Sequence, residues 1–270
     1  MKDMESIVKK TREAQRKWGE SDFNARKKLL EDVAGLIGRY REDIQATMTA
    51  EMYKPKEEAL LDCDYSKEAL EVFSEHGEDW LSPEKIESKS FSNTGTYLHF
   101  EPVGVVGVIK PWNFPIDSPL WTIGSAVMAG NAVILKPAPN TPETGLWIGR
   151  LFEGAGAPDG LVQVVPGDDD VGKALVESSV DMISFTGSKE VGREIATKCV
   201  ATGKRCSFEG GGKDAAIVLP DCDLDKTTAG ILLHGYMNTG QVCTGIERLL
   251  IHEDVYDQLM SKLKEGVKGI

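Results

Sequence analysis

The sequence offers little from which to build a disulfide framework or a structural metal site. Its five cysteines, at 63, 199, 206, 222 and 243, are odd in number, with no C-x-x-C pair and no zinc-site spacing. The four histidines, at 76, 99, 234 and 252, form no ligand motif, so no metal site is expected. Unpaired thiols fit a reducing cytoplasm. No apolar run approaches the length that crosses a bilayer, and the start, MKDMESIVKKTREAQRKW, lacks a signal-peptide core, so no membrane partner is expected. Basic residues are in the minority, 31 Lys and Arg against 43 Asp and Glu. The net charge of −12 disfavours nucleic acid, which needs a basic surface. A local basic cluster could still hold one phosphate. Internal repeats and low-complexity tails are also missing.

What is present is a helical start followed by an α/β alternation. Residues 3–18, 23–39 and 56–75 carry apolar positions at three- and four-residue spacing, such as Leu29, Leu30, Val33, Leu36 and Ile37. Residues 1–87 therefore read as a helical part, and SKSFSNTGTYLHFEP, within 88–102, as a hairpin extension. From 103 onward short apolar runs alternate with helical stretches. The runs are 103–109, 132–135, 161–165, 181–185, 205–209 and 215–219; the helices are at about 117–129, 142–154, 170–178 and 189–201. Strands that are apolar throughout and separated by helices predict a parallel sheet covered on both faces. The fold class expected is α/β, a Rossmann-like doubly wound core over 103–220. A helix near 223–237, a strand at 248–252 and a helix at 254–268 read as the start of a second α/β unit over 221–270.

Cys243 stands out from the other cysteines. It lies in GYMNTGQVCTG, a polar segment punctuated by glycines, whereas a structural cysteine prefers an apolar core. Three strand ends are candidate ligand sites, since doubly wound sheets bind ligands beyond the carboxyl ends of their strands. In FTGSKEVG, Gly187 and Ser188 precede a helix carrying Gly192, which reads either as a phosphate cradle or as an ordinary serine-capped turn. In ILKPAPNTP, Lys136 reads as a ribose or phosphate ligand or as an exposed strand-end lysine. In VIKPWNFP, Asn113 is held between Trp112 and Phe114, as a turn residue or as an oxyanion donor. His234, upstream of Cys243, leaves a Cys-His hydrolase as an alternative. Cys199 and Cys206 read as packing residues near the sheet, while Cys63 and Cys222 have no assigned role.

Taken together and in order, PWNFP, KPA, FTGS, EGGGK and NTGQVCTGIER resemble the NAD(P)-dependent aldehyde dehydrogenase superfamily. The resemblance runs over essentially the whole chain. It implies an aldehyde dehydrogenase-like fold, with residues 221–270 opening the catalytic domain. It implies oxidation of an aldehyde, a small-molecule partner, to a carboxylic acid with NAD or NADP. Cys243 corresponds to the nucleophile, Glu209 to the general base and Asn113 to the oxyanion donor. Lys136, Gly187, Ser188 and Gly192 fall on the cofactor site, with Trp112, Pro139 and Gly210 beside them. Asp117, Trp121 and Val242 fall near the substrate tunnel, and a succinate-semialdehyde-like substrate is one guess. The whole protein is expected to be a homo-oligomer.

The chain departs from the family pattern in three places. Gly210 stands where a leucine usually follows the base, which loosens the loop carrying Glu209. Pro139 stands where NAD-preferring relatives often have a glutamate on the ribose 2′-hydroxyl, so NADP is expected to be accepted at least as well as NAD. Relatives extend beyond both ends of these 270 residues, so the chain looks like a fragment. Alone it is expected to be inactive or poorly folded, with a cofactor-binding module without catalysis as the alternative.

Overall fold

The computed structural model describes residues 3–87 and 95–270. Four helices come first: α1 (Met4–Gly19), α2 (Phe23–Arg39), α3 (Arg41–Met52) and α4 (Lys56–Leu81). Asp3 and Asp22 cap α1 and α2, each side chain accepting a backbone N–H that the helix leaves free. The apolar spacing does not reveal α3, because its buried residues are only Ile44 and Met48, too few to mark a face. Next, β1 (Glu84–Ile86) and β2 (Thr96–Leu98) pair antiparallel, Glu84 opposite Leu98. The hairpin begins before residue 88, earlier than expected. Of the stretch assigned to it, residues 88–94 lie outside the described residues.

The α/β alternation follows as β3 (Val105–Ile109), α5 (Asp117–Met128), β4 (Ala132–Lys136), α6 (Pro142–Gly154) and β5 (Val162–Val164). It continues through α7 (Asp169–Glu177), β6 (Met182–Thr186), α8 (Lys189–Thr202) and β7 (Arg205–Glu209). These strands form one parallel sheet in the order β5-β4-β3-β6-β7. The chain winds outward from β3 to β5, then returns to the other side of β3 to lay down β6. That reversal makes a topological switch point between β3 and β6, where an open α/β sheet leaves a crevice.

Side chains of β3 leave alternately to the two faces. Val106 and Val108 join Leu30, Leu70, Leu120, Ile123 and Ile148 in a core built with α2, α4, α5 and α6. Val105 and Ile109 join Val8, Leu175 and Ile195 in a second core with α1, α7 and α8. Each fully buried aliphatic side chain contributes about 1.5–3 kcal/mol relative to exposure, so two-sided burial is what selects a parallel sheet here. Arg26 is buried as well. Its guanidinium donates to Gly19 O at 2.9 Å and Met128 O at 3.1 Å, satisfying carbonyls at the ends of α1 and α5.

The chain divides into two compact units, Met1–Glu209 and Gly210–Ile270. The second contains β8 (Asp214–Val218), α9 (Leu224–Tyr236), a 3₁₀ turn at Met237–Gly240, β9 (Ile246–Ile251) and α10 (Glu253–Val267). The run expected at 215–219 to continue the first sheet does not join it. As β8 it pairs in parallel with β9, Ala215 opposite Arg248 and Val218 opposite Ile251. Its buried side chain, Val218, packs with Ile231 of α9 and Val255, Leu259 and Leu263 of α10. The second unit therefore starts at Gly210 rather than at 221. None of the described helices is long and apolar enough to cross a membrane.

Candidate active site and cofactor crevice

The carboxyl ends of neighbouring strands in the first unit bring several polar side chains into line. Lys136 ends β4, Lys110 follows β3, Thr186 ends β6 and Glu209 ends β7. The backbone N–H of Lys110 donates to Lys136 O at 3.3 Å, and Thr186 is paired in register with Glu209. Lys136 is buried. Burial pushes its ammonium below the ordinary lysine value, against the attraction of Asp168 and Asp169 at the start of α7. Lys110 is likewise buried and is pushed down to about 8 by the same cause, opposed by the charge of Glu209. Among the described residues, neither ammonium has a carboxylate within ion-pair distance. Two buried cations at the carboxyl edge of the sheet, Lys110 beside the β3/β6 switch point and Lys136 on β4, have the charge that an anionic dinucleotide would need.

The turn into α8 is filled by local bonds. Ser188 caps the helix, its hydroxyl accepting from Val191 N at 3.3 Å, and Gly187 N–H donates to Glu209 O at 3.1 Å. The serine-capped turn is thus realised, and the Gly187 amide is engaged by the protein itself. Gly192 is explained by packing: a Cβ there would overlap the ring of Phe208, which stacks on Phe185 with centroids 5.8 Å apart. Pro139 is exposed, Trp112 and Gly210 are half-buried, and Glu209 faces solvent.

The Asn113 turn is fastened from below by a buried ion pair. Lys54, left by the end of α3, and Asp62 of α4 have side chains 1% and 0% exposed, with Nζ to Oδ2 at 2.6 Å. Lys54 Nζ also donates to Asn113 O at 3.0 Å and lies 4.2 Å from the Phe114 ring centroid. The other Asp62 oxygen accepts Asp117 N–H at 2.9 Å. One end of the turn is thereby held by the lysine and the other by the aspartate. Burial pushes the Asp62 carboxyl up, against the attraction of Lys54 and the bond from Asp117. Asp117 itself is pushed up to about 7 by burial and by the charge of Asp62. Its Oδ1 is buried with no hydrogen-bond partner among the described residues. Asp117 and Trp121 line a cavity of about 400 Å³ with Tyr65, Glu68, Val72 and Phe73.

In the second unit, Cys243 is exposed on a tight loop. Asn238, Thr239 and Gly240 take left-handed conformations, φ 51°, 59° and 77°, and for the β-branched Thr239 this is strained. Gln241 N–H closes onto Asn238 O at 3.0 Å and Gly245 N–H onto Val242 O at 3.0 Å. Gly212 runs against this loop, where any Cβ would overlap the carbonyl oxygen of Cys243. The backbone is thus bent so that the thiol faces outward instead of packing. Val242 is half-buried and His234 is exposed. No hydrogen bond joins His234 to Cys243 among the described residues.

A profile of the aldehyde dehydrogenase family matches residues 1–270. The chain belongs to the aldehyde dehydrogenase family. Aldehyde dehydrogenase, cytosolic 1, of Rattus norvegicus is 36% identical over 276 residues, covering 98% of this chain and 54% of its own. Alpha-ketoglutarate semialdehyde dehydrogenase of Haloferax volcanii is 32% identical over 259 residues, covering 95% and 53%. The solved structure of 3,6-anhydro-L-galactose dehydrogenase in complex with NAP superposes with a TM-score of 0.91 at 31% identity, over 99% of this chain and 56% of that one. The chain spans about half the length of the relatives it matches.

Several residues placed by the structure carry no clear mark in the sequence. Lys54 and Asp62 look like ordinary helix-flanking charges, and nothing in their spacing marks them as buried. Lys110 does have a visible signal, since VIKP and VILKP both end an apolar run in Lys-Pro. Gly212 sits among three glycines that differ only in what they touch. Cys206, read as a packing residue, is exposed on β7, whereas Cys199 is buried in the second core. The edge strand β7 leaves Cys206 uncovered. Cys63 packs in the first core and Cys222 against the third.

Breaking the ion pair on one side should be severe. Lys54→Met is expected to destabilise the chain by about 3–5 kcal/mol, and adding Asp62→Leu to recover a large part, as measured by denaturant unfolding. Asp117 predicts a pH dependence. Its folded value lies above the unfolded one, so between about pH 4 and 7 the folded chain holds a proton that the unfolded chain releases, and stability falls as pH rises through that window. Asp117→Asn is expected to flatten that part of a thermal-melting pH profile; an unchanged slope would contradict the assignment.

Proposed function

We propose that the whole protein oxidises an aldehyde to a carboxylic acid with NAD or NADP, using Cys243 as nucleophile, Asn113 as oxyanion donor and Glu209 as general base. The observation that carries this reading is the outward-facing thiol on a strained turn, in a chain that matches the family over its full length. A thiolate adds to the aldehyde carbon to give a thiohemiacetal, whose oxygen takes up negative charge. The Asn113 amide, on a turn fastened by Lys54 and Asp62, and the Cys243 N–H are the donors offered to that oxygen. A bound nicotinamide supplies the hydride acceptor. Glu209 takes a proton from water, which cleaves the thioester left on Cys243 and releases the acid.

For the cofactor, Lys110 and Lys136 would meet its anionic groups. Pro139 sets no carboxylate against a 2′-phosphate, whereas Asp168 and Asp169 place negative charge near Lys136. Use of both NAD and NADP, with neither excluded, is the reading these residues support. A relative solved with NAP is consistent with it. A cytoplasmic setting fits five free cysteines. The exposed apolar side chains Ile86, Tyr97, Leu98 and Phe100 around the β1–β2 ribbon support a homo-oligomer, which sedimentation of the whole protein would decide.

Substrate choice is read from the cavity beside the Asn113 turn. Its walls are aromatic and aliphatic, its charges are Asp117 and Glu68, and no cation lines it among the described residues. A carboxylate tail would meet repulsion there, which counts against a succinate-semialdehyde-like substrate and favours uncharged or hydrogen-bond-donating tails. Nicotinamide reduction across an aldehyde panel tests both points. Aldehydes without a carboxylate are expected to give the higher kcat/KM, and Cys243→Ala to abolish turnover with all of them. Product formation without any dinucleotide would instead favour a hydrolase.

A further inference from the structure

Lys110 has no part in the family resemblance, yet it occupies a place where a lysine is rarely tolerated. It is 7% exposed, and its Nζ donates to Thr186 Oγ1 at 2.9 Å. An ammonium has three N–H donors, and among the described residues this is the one hydrogen bond its Nζ makes. Removing an ammonium from water without a counter-ion is costly, so such groups are normally paired or absent.

Topology says what the missing counter-ion is for. Lys110 leaves the end of β3 and Thr186 is the last residue of β6, so their hydrogen bond spans the switch point between those strands. Ligands of doubly wound sheets bind in that crevice. The charged groups around it are Lys136 from β4 and Glu209 from β7. Asp168 and Asp169 of α7 act on Lys136, and Glu209 acts on Lys110. Without Lys110, the Glu209 carboxylate would repel any phosphate brought to this end of the sheet.

We propose that the Lys110 ammonium, oriented by Thr186, holds the pyrophosphate of the bound dinucleotide at the β3/β6 switch point. Phosphates are the strongest available partners for a point-charge donor, and the pyrophosphate is the anion common to NAD and NADP. The assignment rests on the proposed use of a dinucleotide, and it adds a charged contact at the switch point to those expected of Lys136 and the α8 turn.

Calorimetric binding to the whole protein, without aldehyde, tests it with NAD, NADP, ADP-ribose and adenosine. Lys110→Met is expected to weaken NAD, NADP and ADP-ribose alike by about tenfold or more, while adenosine, which lacks phosphate, binds as before. Lys110→Arg, which keeps the charge, is expected to retain most of the affinity. Wild-type affinity for ADP-ribose should fall as pH rises from about 7 to about 9, because the ammonium then loses its proton, and Lys110→Met should remove that part of the fall. ADP-ribose binding unchanged in Lys110→Met overturns the proposal. So does a loss confined to NADP, which would place the lysine on the 2′-phosphate, or an equal loss for adenosine, which would mark a general structural defect. Failure of the wild type to bind any dinucleotide would sink the cofactor reading itself, a result distinct from the others.

Discussion

A lysine and an aspartate shielded from water fasten the turn that carries Asn113. Lys54 and Asp62 are joined at 2.6 Å, and each spends its remaining bonding capacity on opposite ends of that turn. Burying two charges is unfavourable unless geometry and extra hydrogen bonds compensate. Here the Asn113 carbonyl, the Asp117 amide and the Phe114 ring complete the set. The arrangement contributes little to stability that a hydrophobic pair could not match. What it adds is position: a backbone carbonyl and a backbone amide of one turn are tied to α4 and to the residue that follows α3. Preorganised donors are worth most when they need no rearrangement as charge develops.

The parallel sheet supplies the second constraint. Because neighbouring strands run the same way, Lys110, Lys136, Thr186 and Glu209 all emerge at one edge, and the register sets them side by side. At the centre of that edge β3 and β4 are buried along their whole length. The crevice at the switch point then gathers charge that would otherwise be unwelcome in the interior. The thiol is treated differently. Its loop is bent through three left-handed residues and accommodated by Gly212, so the sulfur is presented instead of packed.

Much of this was legible in the sequence. The alternation of runs and helices predicts β3 to β7 and α5 to α8 in order, because continuous apolar strands and amphipathic helices have distinct periods. Asn113, Glu209, Lys136 and Cys243 are assigned through their motifs, and their roles are part of the proposal. The failures share a cause: each depends on which distant residue is the neighbour. Nothing local tells that the strand at 214–218 pairs with β9 instead of the first sheet. Lys54 and Asp62 become a site only when α4 is packed beneath the turn, and α3 hides because its two buried residues leave no visible stripe. The close approach of Gly192 to the Phe208 ring is likewise set by a neighbour distant in sequence.

In the proposed reaction a carbon bonds covalently to one sulfur before water, activated by one carboxylate, releases it. The most direct measurement is intact and peptide mass spectrometry of the whole protein carrying Glu209→Gln, mixed with an accepted aldehyde and NAD or NADP. A stalled acyl group on the peptide containing Cys243 is predicted, removable by hydroxylamine. Turnover with no covalent adduct, or an acyl group on a different cysteine, would contradict the account.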